Sequence, residues 1–173
     1  MHLIALLVAG LTHFAAPHLR PDGAELRALV ADTRVRSATF RQLVDRIEQS
    51  DLIVYVRTQH FATARLEGRI GFVRGTAGAT SARILLVELA CPRSAAAQAE
   101  TLAHELHHAA EIAEAAWVRD ASSLEAYYRR IGEEVAPLEH GVAFETPAAR
   151  AIAAIVRQEL ATAPRLTHEE PEP

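Results

Sequence analysis

Residues 82–117 read ARILLVELACPRSAAAQAETLAHELHHAAEIAEAAW, and the fold turns on how this stretch divides. Ala82 to Leu89 is a short apolar run with β-branched residues, which reads as a strand. Cys91-Pro92 ends it, because the residue before a proline is pushed away from helical dihedrals. Ser94 can then accept a backbone N–H as a helix N-cap. Residues 95–117 are alanine-rich with no Gly or Pro, and Leu102, Leu106, Ala109, Ala110 and Ala113 give the helix an apolar side to bury. The stretch therefore predicts strand, turn and one long helix.

Upstream, Asp51 to Arg57 (DLIVYVR) and Leu66 to Arg74 (LEGRIGFVR) predict two more strands, the second with glycines that suggest bends. Gly75 to Ser81 (GTAGATS) is glycine-rich, but no Gly-Lys-Ser/Thr follows, so it reads as a hairpin connection and not a phosphate loop. Residues 24–32 and 37–49 predict helices. Ser37 can cap the second, and Phe40, Leu43, Val44 and Ile47 share one face. Residues 17–23 (PHLRPDG) read as a turn-rich linker. Downstream, helices are expected from about Ser123 to Glu134 and from Pro147 to Ala161, with Thr146 as N-cap and Pro147 at the first helical position. The expectation is an α+β fold: a small, mostly antiparallel sheet flanked by helices, one of them the long helix that carries residues 104–108. One domain over residues 17–162 accounts for the pattern, and the Pro- and Glu-rich residues 163–173 predict a disordered tail.

The 173 residues suffice to bury a hydrophobic core, and the net charge of −4 argues against a nucleic-acid-binding surface. All 18 basic residues are Arg, as a GC-rich bacterial genome would produce. Cys91 is the one cysteine, so no intramolecular disulfide forms; with no paired His pattern around it, it reads as a turn residue and not a nucleophile. Leu3 to Leu11 has the length of a signal-peptide core and is too short for a membrane span. Cleavage near residue 16 would place the protein in the periplasm or outside the cell. No Lys or Arg precedes the run and no Ala-x-Ala follows it, so the alternative is an N-terminal element packed on a cytoplasmic domain.

The chemistry sits in His104-Glu105-Leu106-His107-His108. On a helix His108 lies about 40° round from His104 and about 6 Å further along, so both imidazoles can meet one cation. Zinc accepts neutral imidazole at about 2.0–2.1 Å, and catalytic sites commonly have three protein ligands and a water. Glu105, about 100° round, can take a proton from that water. His107 points to the other side and is expected to be exposed. Glu105-x-x-His108 is also half of a di-iron bundle motif, but the second Glu-x-x-His is absent.

This motif, on a helix that follows a small sheet, resembles the zincin metallopeptidases. The resemblance implies zinc ligated by His104 and His108, with Glu105 as general base. The metzincin branch continues with x-x-Gly-x-x-His, whereas this chain has Glu111 and Glu114 at those positions. The gluzincin branch takes a Glu from a later helix, and here that implies Glu145, just before the last helix. Ala149 stands where that branch has an Asp. Glu111, on the His face but about 7 Å along the axis from the midpoint of the two His, is the rival third ligand; a supporting role suits it better. Glu114 is expected in solvent. His140, Tyr127 or Tyr128 are candidates to stabilise an oxyanion, with core packing the alternative for the tyrosines. His60 reads as a loop residue, and Trp117 as an anchor of the helix end in the core.

The expected function is a zinc-dependent hydrolase, a metallopeptidase acting on a peptide or protein. A strand such as Ile84 to Leu89 would hold the extended substrate by edge pairing. The alternatives are a zincin-like binding or regulatory module without turnover, and a purely structural helical protein without metal.

Overall fold

The computed structural model describes residues 16–63, 66–73, 82–138 and 141–164. The apolar run at residues 3–11, the connection at 75–81, His140 and most of the tail at 163–173 lie outside the described residues. The architecture is α+β. In chain order the elements are β1 (Leu19–Pro21), α1 (Gly23–Arg36), α2 (Ala38–Glu48), β2 (Leu52–Gln59), β3 (Gly68–Phe72), β4 (Arg83–Ala90), α3 (Ala95–Glu114), α4 (Ala121–Ile131), β5 (Glu133–Leu138), β6 (Gly141–Glu145) and α5 (Pro147–Thr162).

The larger sheet has strand order β1-β2-β4-β3 and is mixed. β3 runs antiparallel to β4, as expected of consecutive strands, with Gly68 opposite Leu89. The two pairings made by β2 are parallel. For β1 the reason is the crossover through α1 and α2, which returns the chain in the same direction. Residues 17–23 are thus not a linker. Leu19–Pro21 is an edge strand, and the backbone N–H groups of His18 and Leu19 donate to the Glu48 carboxylate at 2.9 and 3.2 Å.

α1, α2 and α3 cover one face of this sheet. Leu52, Val54 and Val56 of β2 and Leu85, Val87 and Leu89 of β4 alternate onto that face and are fully buried, whereas Tyr55 and Arg57 on the other reach solvent. Phe40, Leu43, Val44 and Ile47 of α2 are buried against it, as their spacing predicts, and Ser37 caps the helix by accepting from the Phe40 N–H. Ser94 caps α3 in the same way. Along α3, Leu102, Leu106 and Ile112 fill the core, while Ala99, Ala103, Ala109 and Ala110 present only methyl groups and let neighbouring elements approach closely. Fully burying one such leucine stabilises the fold by about 1.5–3 kcal/mol. α5 packs on α3 and is tied to the start of α2 by Glu159, which accepts from the Ser37 hydroxyl and from the Thr39 N–H and hydroxyl. That carboxylate sits at a helix N-terminus, where the backbone dipole favours an anion.

α3 ends at Glu114, short of Trp117. Trp117 is half exposed and sets its ring edge-on to Tyr127 at 5.8 Å, while Val118 takes the buried place. Between α4 and α5 the chain forms the antiparallel hairpin β5–β6, which takes in Glu133 and Glu134 where the helix was expected to continue.

Candidate metal centre

α3 and β6 build the site. The Nε2 atoms of His104 and His108 stand 3.2 Å apart, and Glu145 Oε1 lies 3.1 Å from His104 Nε2. One ligand atom from each of the three residues falls within 4.8 Å of the other two. Two donors each about 2.0–2.1 Å from a tetrahedral zinc are separated by about 3.3–3.4 Å, so the two spacings made by His104 Nε2 fit a shared ion. The residue types fit as well: two imidazoles and a carboxylate, with no thiolate.

Each arm has its own support. The imidazoles come from successive turns of a helix whose opposite side is locked in the core, as the spacing predicts. Glu145 is the last residue of β6, immediately before Thr146, the N-cap of α5. Across the hairpin it pairs with Glu133, a juxtaposition of like charges that alone would destabilise the strands. Arg150 offsets it, donating from Nε to Glu145 Oε2 at 3.3 Å and from Nη2 to Glu133 Oε2 at 3.2 Å. Burial alone would push the Glu145 carboxyl up, but the hydrogen bond and charge of His104, with Arg150 behind, hold it below its usual range. For His104 burial pulls down, while Glu145 and the Glu105 charge outweigh it and raise the imidazole.

Glu105 is 6 % exposed and faces β3. A Cβ on Gly68 would stand 2.8 Å from Glu105 Oε1 and 2.6 Å from Thr101 Cγ2. The strand can lie this close only because residue 68 is glycine. Burial drives the Glu105 carboxyl up against the opposing pull of His108 and His104, which makes its ionised form a stronger base.

Glu111 is not within the converging group. Its carboxylate accepts from His108 Nδ1 at 2.8 Å, the Tyr128 hydroxyl at 3.1 Å and the Thr146 hydroxyl at 2.9 Å, with His107 Nε2 at 3.4 Å. These partners outweigh burial and hold the carboxyl far below its ordinary range. His107 is therefore not a solvent-facing residue: only 13 % of its side chain is accessible, because Glu111 draws it in. Glu114 is exposed and pairs with Arg46. Tyr128 is core-packed, edge-on to His108 at 5.2 Å, and its buried hydroxyl is driven strongly upward by burial and Glu111. Tyr127 donates to the Glu111 backbone carbonyl at 3.3 Å. Both tyrosine hydroxyls thus donate to the last turns of α3. His60 is exposed in the segment after β2.

Sequence reasoning missed Gly68, which reads there only as a bend, and Arg150, for which no local signal exists. It also missed Thr146 as anything beyond a cap. Ile84 to Leu89 cannot pair with a substrate through an edge, because β4 is internal between β2 and β3. The sheet's edge beside the candidate site is β3. No protein-family model, curated protein or solved structure matches the chain.

Proposed function

We propose that the protein is a zinc-dependent hydrolase of peptides or proteins, with a site similar to that of a minimal zincin. The observation that carries this reading is the convergence of His104 Nε2, His108 Nε2 and a Glu145 oxygen within 4.8 Å of one another, with His104 Nε2 3.2 Å from His108 and 3.1 Å from Glu145. Zinc held by these three residues supplies Lewis acidity and lowers the pKa of a water to near neutrality. Glu105, adjacent in sequence to His104 and buried beneath β3, is the group to take a proton from the attacking water and return it to the leaving amine. β3 is an edge strand, so its outer backbone groups can pair with an extended peptide. Gly68 would bring that peptide against Glu105. Among the described residues no helix is long and apolar enough to cross a membrane.

Glu105→Gln tests the reading. An amide cannot take up the proton, so hydrolysis of an unfolded protein substrate is expected to fall by about 10²–10⁴-fold while zinc content stays the same. Equal turnover in Glu105→Gln and wild type would remove Glu105 from the base role. A zinc-loaded wild type that cleaves nothing would make the protein a zincin-like binding module.

A further inference from the structure

We infer that Glu111 is the positioning residue of the site, fixing the His108 imidazole with one oxygen and the chain beside Glu145 with the other. The inference rests on the zinc reading above for its consequence, but its geometry stands on its own. Glu111 Oε2 lies 2.8 Å from His108 Nδ1, and an ionised carboxylate can only accept. The proton must then sit on Nδ1, which leaves the Nε2 lone pair aimed at His104 Nε2, 3.2 Å away. In the other tautomer Nε2 would carry hydrogen and could not hold a metal.

Glu111 Oε1 accepts from the Thr146 hydroxyl at 2.9 Å, and the same Thr146 oxygen accepts from the Ala149 N–H to cap α5. Thr146 is covalently next to Glu145. A single carboxylate therefore ties the helix that carries both imidazoles to the segment that carries the third donor. Tyr128 completes its set from α4, donating to Oε2 at 3.1 Å. Only an acceptor with two oxygens satisfies donors from α3, α4 and the start of α5 at once; an amide of the same shape offers one. Groups that orient metal-binding imidazoles in this way change metal affinity by about 10–100-fold when removed.

The test uses the full chain as wild type, Glu111→Leu, which leaves no acceptor, and, as a control on the same helix, Glu114→Leu. Two quantities are read: the zinc dissociation constant by competition with a chromophoric chelator, and the His108 tautomer in zinc-free protein by 15N NMR of the imidazole. We expect Nδ1–H in wild type and in Glu114→Leu, loss of that form in Glu111→Leu, and a zinc dissociation constant raised about 10–100-fold in Glu111→Leu alone. A purely structural role would change the melting temperature without moving either readout in the folded protein. Unchanged zinc affinity with an unchanged tautomer in Glu111→Leu overturns the inference. So does Nε2–H on His108 in the wild type, which needs no variant to fold. If the wild type binds no zinc, the proposed function fails, and the tautomer alone decides the inference: loss of Nδ1–H in Glu111→Leu upholds it, retention overturns it.

Discussion

Two clusters of buried charge lie along α3, and they are built on opposite terms. At its C-terminal end Arg83, 4 % exposed, donates from Nη1 to the carbonyls of Ile112, Ala115 and Val118 and from Nη2 to that of Ala113. Its Nε and Nη2 also meet the Asp51 carboxylate. Every direction of the guanidinium fork is answered, and the carbonyls that a helix end leaves unpaired are answered with it. In the middle of the same helix, two imidazole nitrogens point at each other, and Glu105 is buried with no hydrogen bond among the described residues. The first cluster uses its charge to end a helix. The second gathers two imidazoles and two carboxylates around one place, an arrangement that suits a cation or a reacting group.

The contrast is most sharply broken at Arg83. Arg83→Met should lower unfolding free energy by about 3–5 kcal/mol, because it leaves carbonyls and Asp51 without their buried partner. Denaturant melts check this, and a loss within experimental error would mean the helix end is held by packing alone. Gly68→Ala probes the other cluster. Overpacking against Thr101 and Glu105 should cost about 1–3 kcal/mol, and the displaced carboxylate should lower turnover while zinc content is kept. Full activity in that variant would mean that β3 yields freely and the close approach is incidental.

The smallest effect is expected at Asp51, whose side chain is 44 % exposed. The Arg83 hydrogen bond holds its carboxyl below the ordinary value, against burial. A depressed folded pKa adds stability that is complete above the unfolded value of about 3.9 and is lost as pH falls through the folded one. Asp51→Asn should therefore differ from wild type by at most about 1 kcal/mol near neutrality. That difference should shrink below about pH 4. Acid titration of stability in both proteins measures it, and a constant difference down to the acid limit would contradict the assigned cause.

What the sequence revealed follows the reach of each interaction. The strand, turn and helix of residues 82–117 were legible because each signal is local: an apolar run, a proline, a cap and a helical period. The helix end was placed late, since the group that terminates it is Arg83, on a different element. β1 was illegible because PHLRP becomes a strand only by lying beside β2 and Glu48. The β5–β6 hairpin was hidden by Pro137 and by the irregular register between Glu134 and Ala136, which spoil the alternation that marks strands. In the site, His104, Glu105 and His108 could be read from helical spacing. Glu145 came through the family resemblance and the need for a third donor from a neighbouring element, and Gly68 and Arg150 acquire their roles from tertiary contact.

The central claim is that His104, His108 and Glu145 form one zinc site, and metal content of the purified protein tests it most directly. Protein expressed in zinc-supplemented medium should carry about one zinc per chain by elemental analysis, and His104→Ala or His108→Ala should each remove it while the fold persists. A metal-free wild type, or zinc retained after both histidines are replaced, would contradict the account.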